Sequence, residues 1–290
     1  MSNAANPDIP NIPEDDLPAD DLRGNALPLS TPDEVAAALP PVADAVVLLD
    51  FDGTLSHLVD QPGDAAPTTG AARAIRALAA RTRVVLVSGR SVDDLRPRLP
   101  DDLDVTFAGG HGAELAHGKE DVQPMVADIG RVTHHRDAAI EKLHAILDDV
   151  PGWVVEVKPT GVAVHSRMAT DADAHMAEVL DVLDAHAVAD MEVTRGHDVV
   201  ELRPAGVNKG VAVARLLADD ARTPVAFGDD VTDEDTFAEV VARDGIAVLV
   251  ATEPRATHAS LRLTDPDAVV ATLAAWAAAT PGESPTSDTI

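Results

Sequence analysis

Five apolar residues, Ala45-Val46-Val47-Leu48-Leu49, run without a polar break into Asp50-Phe51-Asp52-Gly53-Thr54-Leu55. Apolar residues with no alternation fit a strand buried on both faces, and Gly53 marks a turn directly after it. Such strands belong to parallel sheets covered by helices, where ligands gather at the carboxyl ends of the strands. The pattern repeats. Residues 83–87 end at Ser88-Gly89-Arg90, residues 104–108 lead into Gly109-Gly110-His111-Gly112-Ala113-Glu114, and residues 224–227 end at Gly228-Asp229-Asp230. Helix-period segments at 70–80, 210–218, 233–242 and 266–279 and a further strand at 245–250 complete an α/β class chain with a Rossmann-like parallel-sheet core.

Between the third and fourth of these strands the pattern changes. A helix at 133–148, strand-like runs at 152–158 and 161–166, a helix at 170–187 and strands at 191–194 and 198–202 give the order helix, hairpin, helix, hairpin. This predicts a smaller α+β module over 117–203, inserted into a core formed by 42–116 and 204–280. An insertion at the carboxyl ends of strands is placed to act as a lid. Residues 1–41, rich in Pro, Asp and Asn, read as a disordered or loosely docked acidic tail, and 281–290 as a frayed end.

Composition narrows the function. With no cysteine, disulfides and thiolate metal sites are excluded. Aromatics at 2% provide no base-stacking platform, and a net charge of -28 repels nucleic acid and anionic lipid. No apolar run approaches the ~18 residues of a membrane span, and the acidic N-terminus carries no secretory segment, so a cytoplasmic protein is expected. The charge also suggests a salty cytoplasm, where salt screens self-repulsion. Only four lysines, Lys119, Lys142, Lys158 and Lys209, remain in the chain, so each is more informative than usual.

Asp50 and Asp52 offer hard oxygen ligands for a cation such as Mg2+, and they can also divide the roles of nucleophile and acid/base. Ser88-Gly89-Arg90, before a helix start, can form an anion site. His111 and Glu114 can hydrogen-bond a polar substrate, and the glycines around them, Gly112 included, allow close approach. Lys209 stands at a helix start, against the helix dipole, and a bound phosphate would explain it. Asp229 and Asp230 lie at another strand end, and Asp233 follows in the acidic run that opens the next helix. Glu156 with Lys158, His165 with Arg167, and Glu201 with Arg203 each share one face of a strand in the inserted module. Singly, each has a plainer reading: a βα turn at Ser88, a flexible turn at His111, a solvated strand face in the insert, an exposed lysine at 209 and a capped helix start at Thr232.

Together, D-x-D-G-T, a strand-end Ser, a lone Lys and G-D-D-x-x-D in this order resemble the haloacid-dehalogenase-type phosphatases over residues 45 to 275. LDFDGTLS, SGR, GxHGxE, ExK…VHSR, ExRP, NKG and GDDxTDEDxF are similar to the trehalose-6-phosphate phosphatases. The resemblance implies a HAD-like core with an inserted cap and Mg2+-dependent hydrolysis of a sugar phosphate. Asp50 would be the nucleophile, Asp52 the acid/base, and Ser88 and Lys209 would steady the phosphoryl group. Asp50, Asp52 through its carbonyl, Asp229 and Asp233 would serve the metal. Glu156, Lys158 and Glu201 would hold the sugar, with Arg90, His111, Gly112, Glu114, His165 and Arg167 as further substrate contacts. A monomer is expected, with a trehalose-6-phosphate synthase as functional partner. His57 departs from the family, which usually has Pro there. Other sugar phosphates, phosphoglycolate, a phosphomutase reaction and a non-catalytic sugar-phosphate sensor are the alternatives.

Overall fold

The computed structural model describes residues 27–279, apart from 60, 127, 167, 170, 171, 189 and 197. Strand β1 (Ala45–Leu49) is buried at every position and lies at the centre of an eight-stranded sheet. On one side come β2 (Val84–Val87), β3 (Thr106–Gly109), β4 (Glu114–His117) and β5 (Gln123–Pro124). On the other come β10 (Thr223–Gly228), β11 (Ile246–Val250) and β12 (Leu261–Leu263). The strands from β12 to β3 run parallel, and β4 and β5 join antiparallel. The chain winds from β1 toward β3 in one direction and from β10 toward β12 in the other. The switch point of the sheet, where such folds open a crevice, therefore lies between β1 and β10. Pairing of Leu49 with Leu86 and with Phe227 brings the ends of β1, β2 and β10 side by side.

Alternate residues of β1 divide between two layers, as the period of two requires. Val47 and Leu49 pack with α1 (Pro32–Ala38), α2 (Ala71–Ala79) and α8 (Pro266–Ala278), while Val46 and Leu48 pack with α6 (Lys209–Leu216) and α7 (Glu234–Val241). The expected tail needs correction. Thr31 caps α1 in a reciprocal box with Glu34, and Val35 is buried. Ser30 N–H donates to Arg262 O at 2.8 Å, and the Trp276 indole N–H donates to Pro40 O at 2.7 Å. Residues 27–41 are thus part of the core, while 1–26 and the end from 280 lie outside the described residues. β4 and β5 likewise carry the core past the expected boundary at 116.

The inserted cap is a separate antiparallel sheet in the order β6 (Val154–Val157), β7 (Val162–His165), β9 (Val199–Pro204) and β8 (Met191–Gly196). Helices α4 (Ile129–Leu147) and α5 (Ala172–His186) cover one face, with Leu143, Leu147, Val179 and Leu183 against Val162, Val164, Val200 and Leu202. α4 starts four residues earlier than its periodicity suggests because Asp128 accepts from Arg131 N–H at 3.0 Å. Glu156, Ala163 and Glu201 align across three strands on the other face. No helix among the described residues is long and apolar enough to cross a membrane.

Candidate active site

Lys209 is the first residue of α6, whose N-cap is Asn208. Its ammonium donates to Asp50 Oδ1 and to Asp233 Oδ1, each at 2.8 Å, and all three side chains are buried. These two carboxylates are the reason a lysine is tolerated at a helix start. Burial opposes the Lys209 charge, but Asp233 and Asp50 outweigh it and raise its pKa. Asp233 Oδ2 accepts the N–H groups of Asp229 and Asp230 at 3.0 Å each. A capping box between Asp230 and Asp233, rather than the expected Thr232 cap, shapes this turn. Asp233 therefore joins the end of β10 to Lys209 and through it to the end of β1.

One carboxylate oxygen each from Asp50, Asp229 and Asp233 lies within 4.8 Å of the other two. Lys209 hydrogen-bonds two of these acids, Asp50 and Asp233, and sets one ammonium against three carboxyl groups. Burial, more than its charged neighbours, raises the Asp50 pKa well above the ordinary carboxylate value. Burial and the Asp233 charge push Asp229 up to about 7. Such a group fits a hard divalent cation. Gly53 is required beside it: its φ is +75°, and a Cβ there would lie 2.0 Å from Asp229 Oδ2. Asp52, expected among the metal residues through its carbonyl, turns its carboxylate away to Arg90, which donates from Nε to Oδ2 at 2.6 Å and from Nη2 to Oδ1 at 2.8 Å.

Ser88 is buried at the end of β2, and its Oγ accepts the Arg90 N–H at 3.2 Å. His111 sits in a turn at φ 54° and donates its N–H to Ser88 O at 2.9 Å. Its ring rests against Gly89, where a Cβ would come within 2.7 Å, and its Nδ1 is buried without a partner. Burial, followed by the charges of Lys158, Lys209 and Arg203, holds the His111 pKa well below its usual value, so the ring is neutral. Gly112 packs on Ala212 of α6. Glu114 departs from the expected substrate contact. It is buried, and its Oε2 accepts Val92 N–H at 2.8 Å, so it anchors the start of α3 (Val92–Leu95).

The cap presents Lys158, whose Nζ donates to Glu201 Oε1 at 3.0 Å, and Glu156, whose Oε2 pairs with His165 Nε2 at 2.8 Å. The His165 hydrogen bond, more than any other influence, lowers the Glu156 pKa. Arg167 lies outside the described residues. Glu156 and Lys158 face Gly89, Arg90 and Asp94 across a cleft of about 240 Å³ between cap and core. A larger open hollow of about 810 Å³, lined by Arg83, His117 and Lys119, lies along β4 on the amino-terminal side of the sheet and away from the acids. Three further side chains were visible in the sequence only as spacing. Arg203 alternates with Glu201 and bears on His111, and Asp94 and Arg98 follow Arg90 at intervals of four.

A parallel sheet with carboxylates at its switch point, a buried lysine between two of them and a cap inserted after β5 define the fold of the haloacid-dehalogenase-type phosphatases. The sequence model of the trehalose-phosphatase family matches residues 48–267. The chain belongs to that family. It is 37% identical over 243 residues to the trehalose-phosphate phosphatase of Mycobacterium marinum, covering 77% of this chain and 56% of the relative. It thus spans about half the length of the phosphatase relatives it matches. A Mycobacterium tuberculosis protein named as an uncharacterized glycosyl hydrolase is 40% identical over 215 residues, 70% of this chain but 16% of that one. Among solved structures, a trehalose-6-phosphate phosphatase related protein superposes with TM-score 0.68 at 25% identity, covering 79% of this chain and 95% of that one. The C-terminal domain of the Candida albicans trehalose-6-phosphate phosphatase has the same fold, with TM-score 0.69 at 22% identity over 88% of this chain and 99% of that one.

Proposed function

We propose that the chain hydrolyses trehalose 6-phosphate to trehalose and phosphate through an aspartyl phosphate on Asp50. The observation that carries this reading is Lys209 bridging Asp50 and Asp233 at the switch point, with the Lys158–Glu201 pair on the cap. A carboxylate attacking a phosphate dianion needs positive charge close by. One hydrogen bond of Lys209 holds the Asp50 carboxylate and offsets part of its charge, and the other ties the ammonium to Asp233. Mg2+ held by Asp50, Asp229 and Asp233, with the main chain of Asp52, would neutralise phosphoryl charge and polarise the bond to be broken.

In the first step an Asp50 oxygen bonds to phosphorus and the bond from phosphorus to the sugar oxygen breaks. Asp52 supplies a proton to that departing oxygen. In the second step water attacks the phosphorus of the aspartyl phosphate, Asp52 takes a proton from the water, and the Asp50–phosphorus bond breaks. Ser88, whose hydroxyl proton is left free when its oxygen accepts from Arg90, would donate to a phosphoryl oxygen. Glu156, Lys158 and Glu201 would hold sugar hydroxyls, and the neutral His111 would add one uncharged hydrogen bond. In this reading a trehalose-6-phosphate synthase supplies the substrate, and the chain works as a cytoplasmic monomer.

Phosphate release from a panel of sugar phosphates, with Mg2+ and with a chelator, tests the proposal. Trehalose 6-phosphate is expected to turn over fastest, and only with the metal. Faster release from sucrose phosphate or a glycerate-linked sugar phosphate would replace the substrate, and an isomerised product without free phosphate would replace the reaction.

A further inference from the structure

The proposed reaction asks Asp52 to give a proton and later take one, and such transfers demand a fixed orientation. What fixes Asp52 is Arg90. Its Nε and Nη2 grip the two Asp52 oxygens at 2.6 and 2.8 Å, and its remaining nitrogen, Nη1, donates to Asp94 Oδ2 at 2.6 Å. Asp94 Oδ1 accepts from Arg98 Nη2 at 2.7 Å, and Arg98 Nη1 reaches Gly63 O at 3.2 Å in the segment after Asp52. The Arg90 side chain is 12% exposed, and its guanidinium stands 5.7 Å from the Phe51 ring centre. Asp94 lies on α3, Arg90 just before its N-cap Ser91, and Arg98 in the 3-10 turn that follows the helix. The outcome is a ladder, Arg98–Asp94–Arg90–Asp52, running from the helical layer to the loop after β1.

We propose that Arg90 is the positioning residue for Asp52, with Asp94 and Arg98 as its supports, and not a ligand of the substrate phosphate. This rests on the phosphatase reading above. Every guanidinium nitrogen has a carboxylate oxygen, so the phosphate would have to compete with two acids for it. The planar fork suits this work: it meets both oxygens of a carboxylate and sets the plane of the group, which a lysine point charge does not. The Asp50–Lys209–Asp233 group meets this ladder through the main chain from Asp50 to Asp52. Disturbing Arg90 should therefore affect the step that needs a proton and leave the attack on phosphorus largely intact.

Two aryl esters separate the steps. Phenyl phosphate and p-nitrophenyl phosphate both lack a sugar, so cap contacts cancel. Phenolate, a base like the tyrosine side chain with a pKa of about 10, leaves better with a proton. p-Nitrophenolate leaves readily without one. The kcat/KM ratio of phenyl to p-nitrophenyl ester is expected to fall more than ~10-fold in Arg90→Gln, within the range of general acid contributions. Arg90→Lys, which keeps the charge and loses the fork, should lie between. Equal slowing of both esters, or an unchanged ratio, overturns the proposal. If Arg90→Gln does not fold by thermal melting, Asp94→Asn decides: it leaves Arg90 in place but loosens it, and should lower the same ratio by a smaller factor, an unchanged ratio being contrary. A wild type that releases phosphate from no ester defeats the phosphatase reading and this inference with it. An active wild type with an unmoved ratio defeats the inference alone.

Discussion

Lys209 holds Asp50 and Asp233 together from a fully buried position, so its loss acts on stability and chemistry at once. Removing one member of a buried charge group costs about 3–5 kcal/mol because the partners are left uncompensated. Lys209→Met should lower the melting temperature strongly in chelator and less in Mg2+, with turnover reduced at least ~100-fold; an equal drop in both buffers would speak against a cation among these acids. The pH dependence follows from Asp229. Its pKa rises from 3.8 to about 7 on folding, so between those values the folded state binds more protons than the unfolded. The stability from this proton is complete below the unfolded value and disappears as pH rises through about 7. In chelator, wild type should therefore lose stability relative to Asp229→Asn as pH rises from 4 to 7, and Mg2+ affinity should climb over the same range as the proton is displaced. Lys209 was legible in the sequence from its scarcity and its awkward place at a helix start. Arg90 was not, because an arginine after Ser-Gly reads as an anion ligand until the fold reveals Asp52 within reach. The bond from Val92 N–H to Glu114 was hidden in the same way, since a carboxylate that ties down a helix start looks in sequence like one that binds a sugar.

Elements were legible where periodicity was strong and obscure where pairing decides. β1, β2 and β10 stand out as apolar runs, and the cap follows from its helix–hairpin repeats. β4, β5 and β12 are two to four residues long and exist through their neighbours. α1 hid in a Pro- and Asp-rich stretch, although Thr31 and Glu34 form a cap signature and only Val35 and Leu39 supply its apolar side. Its docking on α8 is testable through Trp276, which is 1% exposed and hydrogen-bonded to Pro40 O. Trp276→Ala should cost about 3–5 kcal/mol in denaturant unfolding; a change below ~1 kcal/mol would return residues 27–41 to a loose tail. In the cap, Lys158→Ala should reduce kcat/KM for trehalose 6-phosphate at least ~10-fold while p-nitrophenyl phosphate is hydrolysed as before. Equal losses on both esters would remove Lys158 from sugar recognition.

The whole molecule carries 50 acids against 22 Lys and Arg, yet must admit an anionic ester. At the cleft Arg90, Arg98 and Lys158 line the walls beside Asp94 and Glu156, and Lys209 holds Asp50 at the end of β1. Elsewhere the acids repel one another, and salt screens exposed charges within about 10 Å at 0.1 M. The melting temperature should rise as NaCl is raised from near zero toward 1 M, and a flat or falling curve would dismiss the link to a salty cytoplasm. The course of the sheet on either side of β1 could be read from the order of the apolar runs, but the seating of the cap over the switch point could not, since it depends on tertiary contacts such as Lys158 facing Arg90. All of these features converge on one carboxylate at the end of the central strand. The most direct measurement is phosphate release from trehalose 6-phosphate by Asp50→Asn beside wild type in Mg2+, with melting curves to show that both are folded. Loss of turnover by at least ~10⁴-fold in a folded variant is the predicted result, of the size expected when a covalent route is removed. Turnover within tenfold of wild type would contradict Asp50 as the group that receives the phosphoryl.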